Sequence, residues 1–376
     1  MSKVQQAASA FPSQTRSPIL AVDVGSGYVK ALSHMRDIQR RISFQSLVAP
    51  IDPEVLRNFG GDAIPVVEYK DRLWVTGSHL TRIMSADRAQ STLSMDWAGS
   101  DGWMVLMLRA IFDLGIRTGD VNLITGVPQR AYAERSKELH DLVVGEHHAI
   151  IEGHPIDIRV LDNRPVVMPQ AAAGLYCWAD IDPSVAKGLV GGIDPGTLTT
   201  GYAVLENGQP KIDASSGVDV GMHSVAAILA RMVMDKYEMP ITNADALILL
   251  NNPNFYVMGN VVDVSDLIKK AAREAAQPAI TRIKTHWQYG GRNMRIGIYG
   301  GGAKLFYPAF KEAFPHLEYV GQLGEDAGEN DKPASVRHAS DTRFAPCLGM
   351  LGFLSARLGR SADVRVTNQV EQGVAA

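Results

Sequence analysis

The sequence has 376 residues, 46% hydrophobic and 20% charged, with a formal net charge of −3. A chain of that length exceeds one small core, so two or more compact units are expected, and the acidic balance argues against a broad nucleic-acid-binding face. The longest apolar stretches, such as "WMVLML", which is cut by Arg109, fall far short of the ~20 residues of a membrane span, and the two cysteines, Cys177 and Cys347, sit in apolar settings without zinc spacing.

The chain opens on "MSKVQQAASAFPSQTRSP", polar and without an apolar signal core, which reads as a disordered arm and points to a cytoplasmic protein. Strand, turn and strand follow in "ILAVDVGSGYVKALS", where Asp23, Gly25, Ser26 and Gly27 interrupt an apolar run that resumes with Lys30. "RRISFQSLVAP" continues extended, and "PVVEYKDRLWVTGSHL" alternates like a hairpin. "GWMVLMLRAIFDLGI" has helical periodicity and stops at Gly115. "VNLITGVP" is a short buried strand stopped by Gly126 and Pro128, "RAYAERSKELHDLVV" an amphipathic helix, and "HPIDIRVLDNRPVV" a further alternating stretch. The grouping of His147, His148 and His154 near that stretch lacks metal partners and reads as surface. "PQAAAGLYCWA" is a small-residue helix opening after Pro169. A second β region, "KGLVGGIDPGTLTTGYAVLENGQPKIDASSG", leads into the helix "MHSVAAILARMVMDKYEM". "VSDLIKKAAREAAQPAITRIKTHWQYG" reads as a long amphipathic helix with Ser265 as its N-cap and Pro278 as a kink or break. "MRIGIYGGGAKLF" is strand, glycines, helix, and "FAPCLGMLGFLSARLG" closes as an apolar helix. Strands and helices alternate throughout, which predicts an α/β protein.

One plan occurs twice. "AVDVGSGYVKAL" and "GGIDPGTLTTGYAVL" each run from an apolar strand through Asp, any residue, Gly and Ser or Thr into a second β run, at domain spacing. A single Asp-x-Gly turn is common in plain hairpins. Glycine, however, lets backbone N–H groups close on a ligand, and Ser26, Thr197 or Thr199 and Lys30 add donors suited to a polyphosphate. Asp23 and Asp194 beside such an anion would be repulsive unless a divalent cation or its water shell lay between, so the pair predicts Mg²⁺ with nucleotide. No Walker sequence is present, and these turns lead into strands rather than helices. Gly300, Gly301 and Gly302 after "RIGIY" would weaken a helix start by about 1 kcal/mol each, a cost that close packing of a base or ribose would offset. Gln170 opens its helix either as an exposed glutamine or as the group that orients an attacking water.

Together these residues resemble the superfamily of actins, heat-shock chaperones and sugar kinases. Asp23–Lys30, Gln170–Tyr176, Asp194–Thr200 and Gly300–Lys304 match its first phosphate hairpin, connecting helix, second phosphate hairpin and adenosine motif, in order. "DVGSGYVK" and "QAAAGLY" look actin-like, while "LITGVPQRAY", "MPQAAAG" and "RFAPCLGMLGF" resemble the ParM/StbA type of plasmid-segregation actin. Two departures stand out: Gln170 where plasmid-type actins have glutamate, and Pro195-Gly196-Thr197-Leu198 where a second glycine is usual.

The resemblance implies an actin-like ATPase fold, two RNase H-like domains flanking a nucleotide cleft. The first would span 18–185, with an insertion at about 41–118, and the second 186–342, with an insertion at about 226–285. A helix at 343–360 would return to the first domain, between an arm over 1–17 and a tail over 361–376. By the same resemblance Asp23 and Asp194 would hold Mg²⁺ through water, and Gln170 and Asp194 would act on the hydrolytic water. Gly25, Ser26, Gly27, Lys30, Gly196, Thr197 and Thr199 would touch phosphates of ATP or ADP, with GTP admitted. Gly300, Gly301, Gly302 and Ala303 would pack on the adenosine, and Lys236 would reach the ribose or base unless it is a solvated helix lysine. The implied function is a filament-forming ATPase, destabilised by hydrolysis, that moves plasmid or other DNA through a ParR-like adaptor. It implies self-association and no direct binding to nucleic acid or membrane. A sugar-kinase-type phosphotransferase and a non-hydrolysing scaffold are the alternatives.

Overall fold

The computed structural model describes residues 17–35, 38–58, 64–83, 97–320, 341–360 and 365–371. The first half holds β1 (Ile19–Val24), β2 (Tyr28–Met35), β3 (Ile38–Gln45), β4 (Val48–Ile51), α1 (Pro53–Asn58), β5 (Val66–Tyr69) and β6 (Arg72–Thr76). It continues through α2 (Asp101–Asp113), β7 (Thr118–Val127), α3 (Tyr132–Val143), β8 (Gly145–Ile151), β9 (His154–Val160), β10 (Val167–Pro169) and α4 (Gln170–Ile181). The second half holds β11 (Leu189–Pro195), β12 (Thr200–Glu206), β13 (Gln209–Pro210), β14 (Ser216–Val218), α5 (Met222–Tyr237) and α6 (Asn243–Leu249). Then come β15 (Asn254–Val257), β16 (Asn260–Asp263), α7 (Ser265–His286), β17 (Arg295–Ile298), α8 (Ala303–Ala313) and β18 (Leu317–Tyr319), followed by α9 (Ala345–Arg357) and β19 (Arg365–Glu371).

Two large sheets follow, and they repeat a unit. In the first, β1 lies between β2, antiparallel, and β7, parallel; in the second, β11 lies between β12, antiparallel, and β17, parallel. The first sheet extends as β19-β3-β2-β1-β7-β9-β8-β5-β6-β4, with β10 added to β7. The second runs β13-β12-β11-β17-β18, with β14 on β12. Every residue of β1 is buried, the mark of a strand covered on both faces, whereas β9 alternates as a half-solvated strand should.

Helix α2 is apolar all round and buried from Gly102 to Phe112; its Arg109 is tolerated because Asp113 and Glu152 each lie 2.9 Å away. Helices α4 and α9 pack directly against each other. They approach so closely that a Cβ on Gly349 would lie 1.7 Å from the Ala173 carbonyl oxygen. Small residues on both helices make this crossing possible, and α9 then covers Ile19, Ala21 and Leu32 of the first sheet.

Three expectations need correction. Ser265 is the first residue of α7 rather than its cap, and its N–H donates to Asp263 Oδ1 at 2.7 Å. Helix α7 runs unbroken through Pro278, because that residue and Glu274, whose carbonyl loses its N–H partner, lie on the solvent face where water can serve instead. The segment read as a tail contains β19, which pairs in parallel with β3. Of the arm expected at 1–17, only Ser17 lies within the described residues; its carbonyl accepts from Asn122 and Arg360.

Candidate active site

The two Asp-Gly turns face one another across a cleft. Asp23 stands at the end of β1 directly opposite Lys30 of β2, and Lys30 Nζ donates to Asp23 Oδ2 at 2.7 Å. Gln170, the first residue of α4, donates its side-chain amide to Asp23 Oδ1. A Cβ on Gly126 would sit 2.8 Å from Gln170 Cγ and 3.1 Å from Asp23 Oδ1, so glycine there is what lets these groups meet. Asp23 is therefore fully engaged and 1% exposed. Ser46 braces the first turn from behind, its N–H donating to Gly27 O at 2.9 Å and its hydroxyl to Gly25 O at 2.6 Å.

The second turn repeats the geometry with one omission. Asp194 pairs in register with Gly201, the position that Lys30 occupies in the first hairpin. With no cation across its own hairpin, Asp194 is governed by burial. Burial, helped by the nearby Asp23 charge and opposed by Lys30, pushes its carboxyl from 3.8 up to about 7. Lys30 moves the other way from what burial alone would do: burial lowers it, but Asp23, with Asp194 farther off, outweighs burial and raises it. Gly27 and Thr197 bring the turns into contact, since a Cβ on Gly27 would lie 2.2 Å from Thr197 Oγ1 and 3.1 Å from Thr197 Cβ.

The cleft is lined by eleven of the expected residues: Asp23, Gly25, Ser26, Gly27, Lys30, Gln170, Asp194, Gly196, Thr197, Thr199 and Gly301. Three others stand just behind the lining. Gly300, at φ 94°, accommodates Asp194, whose Oδ1 would lie 1.9 Å from an added Cβ, and Gly302 donates its N–H to Pro195 O at 2.7 Å. Ala303 is buried at the start of α8. The Gly196 N–H is spent on Thr199 O at 2.7 Å, closing the turn, so Gly196 shapes the loop rather than offering its own donor. Lys236 is not brought to the cleft. It lies near the end of α5, about 21 Å along the helix from its start beside the second turn, and exposed over the ring of Tyr237 at 4.8 Å.

Other residues matter that sequence reasoning passed over. Tyr299, directly before the glycines, is wholly buried and donates its hydroxyl to Ala171 O; glycines at 174 and 192 leave room for its ring and hydroxyl. Gly221 lets the second turn sit on the start of α5, whose Met222 and His223 N–H groups donate to Gly196 O and Thr197 O at 3.1 and 2.9 Å. Trp97, Trp103 and Arg135 extend the cleft wall. A buried tyrosine before a glycine run was the one available signal. The halves are also joined at the cleft by Arg130, which grips both oxygens of Asp219 at 2.7 and 2.8 Å.

The donor set fits a hard divalent cation held through water. Two carboxylates converge here, no group of three metal-ligating side chains occurs among the described residues, and the remaining positions would fall to water and phosphate oxygens, as Mg²⁺ prefers. The three histidines stand apart from the cleft, with His148 bonded to Asp157 at 2.6 Å. Both cysteines are buried free thiols that burial pushes up. No helix among the described residues is long and apolar enough to cross a membrane.

This fold and cleft define an actin-like ATPase fold. A family model described as "Actin like proteins N terminal domain" matches residues 21–172, and one described as "Archaeal actin homologue MreB-like, C-terminal" matches 192–312. Between them they take in most of the sequence, and the chain belongs to the actin-like proteins. It is similar to an archaeal actin homologue (TM-score 0.72, 17% identity, covering 90% of this chain and 99% of the other), also solved with ADP. It is similar as well to the ParM of a 15-stranded filament from Clostridium botulinum (TM-score 0.68, 18% identity, 90% and 99% covered). A third similar structure is Bacillus thuringiensis ParM with ATP (TM-score 0.62, 12% identity, 92% and 100% covered). No curated protein matches this sequence.

Proposed function

We propose that this protein binds ATP with Mg²⁺ between the two turns, hydrolyses it, and assembles into filaments whose lifetime hydrolysis limits. The observation that carries this is the close approach of the two turns at Gly27 and Thr197, which brings two acids and one lysine to the lining of one cleft. Ser26 and Thr197 hydroxyls, turn N–H groups and the Lys30 ammonium would bind phosphate oxygens, and Asp23 and Asp194 would hold metal-bound water. The bound cation would supply charge neutralisation at the phosphates. Gln170 would orient the attacking water after releasing Asp23, and ionised Asp194 would accept its hydrogen bond. Likeness to ParM supports a cytoplasmic role in moving DNA through an adaptor protein, so the chain alone should not shift DNA in a gel.

The test is phosphate release and pelleting with ATP, with ADP and without nucleotide. ATP turnover with ATP-dependent pelleting is expected. Absence of assembly at high concentration overturns the filament reading. Stimulation of turnover by a sugar would indicate a kinase, and binding without turnover a scaffold.

A further inference from the structure

In the free protein the Gln170 amide is held on Asp23 Oδ1, and hydrolysis requires it to leave that carboxylate for a water. Tyr299 reaches the same helix from the other end of the cleft. Its backbone belongs to the second sheet: its N–H donates to Ile193 O at 3.0 Å, next to Asp194, and Gly300 and Gly301 follow it directly. Gly300 packs on Asp194 Oδ1 and donates its N–H to Thr342 O at 3.0 Å, and Gly301 lines the cleft together with Arg343.

The Tyr299 side chain leaves that sheet and enters α4, where its hydroxyl donates to Ala171 O, one residue from Gln170. The fit has no slack. A methyl at Gly192 would overlap the hydroxyl, a methyl at Gly174 would overlap the ring, and Tyr299 is wholly buried. Close-packed interiors pass a displacement on rather than absorb it. Ala171 lies in the first turn of α4, where the helix supplies its carbonyl with an N–H partner of its own. The helix therefore does not need the phenol, and phenylalanine would fill the same slot with no buried hydroxyl to satisfy.

We propose that Tyr299 is a positioning residue. A nucleoside seated against Gly301 draws the second half inward, and the Tyr299 hydroxyl carries that movement to the first turn of α4 and lifts Gln170 off Asp23. A polyphosphate alone fills the two turns and leaves Gln170 in place. This rests on the hydrolysis reading above and adds what triggers it.

ATP and inorganic tripolyphosphate, each with Mg²⁺, separate the two ends of the cleft, because both present three phosphates and only ATP carries a nucleoside. At saturation the parent should turn over ATP at least about tenfold faster than tripolyphosphate. Tyr299→Phe keeps the ring in its slot and removes only the hydroxyl. It should bind a fluorescent ATP analogue within about twofold of the parent, while its kcat for ATP falls about tenfold toward the tripolyphosphate value with KM little changed. Loss of both activities by one factor is what a structural tie would give, and it overturns the proposal. Equal parent rates on the two substrates, or a variant with the parent's ratio, overturn it too. A variant that does not fold marks the hydroxyl as a structural requirement and likewise overturns it. If the parent turns over neither substrate, the hydrolysis reading fails, and hydrogen exchange over residues 170–176 decides on the link. Saturating ADP should change exchange there in the parent, saturating pyrophosphate should not, and Tyr299→Phe should cancel the ADP effect. The same ADP effect in both chains, or none in the parent, overturns the link.

Discussion

Asp23 and Asp194 occupy matching places in matching hairpins, and one residue separates their circumstances: Lys30 opposite the first, Gly201 opposite the second. A carboxyl raised from 3.8 to about 7 contributes stability that is complete below about pH 4 and is lost as pH climbs through about 7. The nucleotide-free protein should therefore lose several degrees of melting temperature between pH 5 and pH 8, and Asp194→Asn should flatten that part of the profile. A slope unchanged by the substitution would remove Asp194 as its source. With ATP and Mg²⁺, Asp194→Asn should bind nucleotide yet lose most phosphate release; unaltered release would show the site misassigned. Gly27→Ala makes a separate prediction. Rotating Thr197 would move its Oγ1 away from the added methyl but leave its Cβ at 3.1 Å, so the two turns must part by a few tenths of an ångström. Nucleotide affinity should fall about tenfold, ~1.4 kcal/mol, read by titration, with little change in melting temperature. The residue pattern around Asp23, Gln170 and Asp194 was legible because a repeated Asp-x-Gly-Ser/Thr frame has few other uses. Gly126, Gly221 and Ser46 were not, because each acts through a neighbour far away in sequence. Lys236 stayed open between a ribose contact and a solvated lysine because helix position alone says nothing of distance to a ligand.

Among the elements, α4 and α9 meet with backbone of one against backbone of the other. Gly349→Ala should cost about 2–3 kcal/mol by overpacking, roughly 4–12 °C in melting temperature by scanning fluorimetry. A loss below one degree would mean the helices separate without penalty. Most strands and helices could be placed from periodicity, and "QAAAGLY" announced a small-residue helix without saying what it packs against. That α7 passes through Pro278 depended on which face the proline took, which periodicity does suggest: Ala275, Ala276, Ala279 and Ile280 are buried while Gln277 and Pro278 are not. β19 was missed because a strand that completes a sheet edge owes its existence to β3, more than three hundred residues earlier. Removing residues 365–376 should uncover that edge and give nucleotide-independent light scattering; a clear solution would show the edge otherwise protected.

Over the whole molecule, the repeated β2-β1-β7 and β12-β11-β17 units explain why two hairpins distant in sequence meet across one cleft. The frame repeat indicated that symmetry; the Arg130–Asp219 clasp and the Tyr299 wedge between the halves depend on contacts that no local pattern encodes. One feature reaches beyond the finished protein. Helix α9 covers Ile19, Ala21 and Leu32, and Cys347 Sγ donates to Lys30 O at 3.3 Å, so the opening hairpin is completed by a helix more than three hundred residues further along the chain. During translation the strands that carry the first Asp-Gly turn remain without that cover until residues 345–357 have been made and have left the ribosome. A growing chain that still lacks α9 should therefore hold an incomplete cleft, so neighbouring copies on one messenger would have no nucleotide site to fill until that helix is in place.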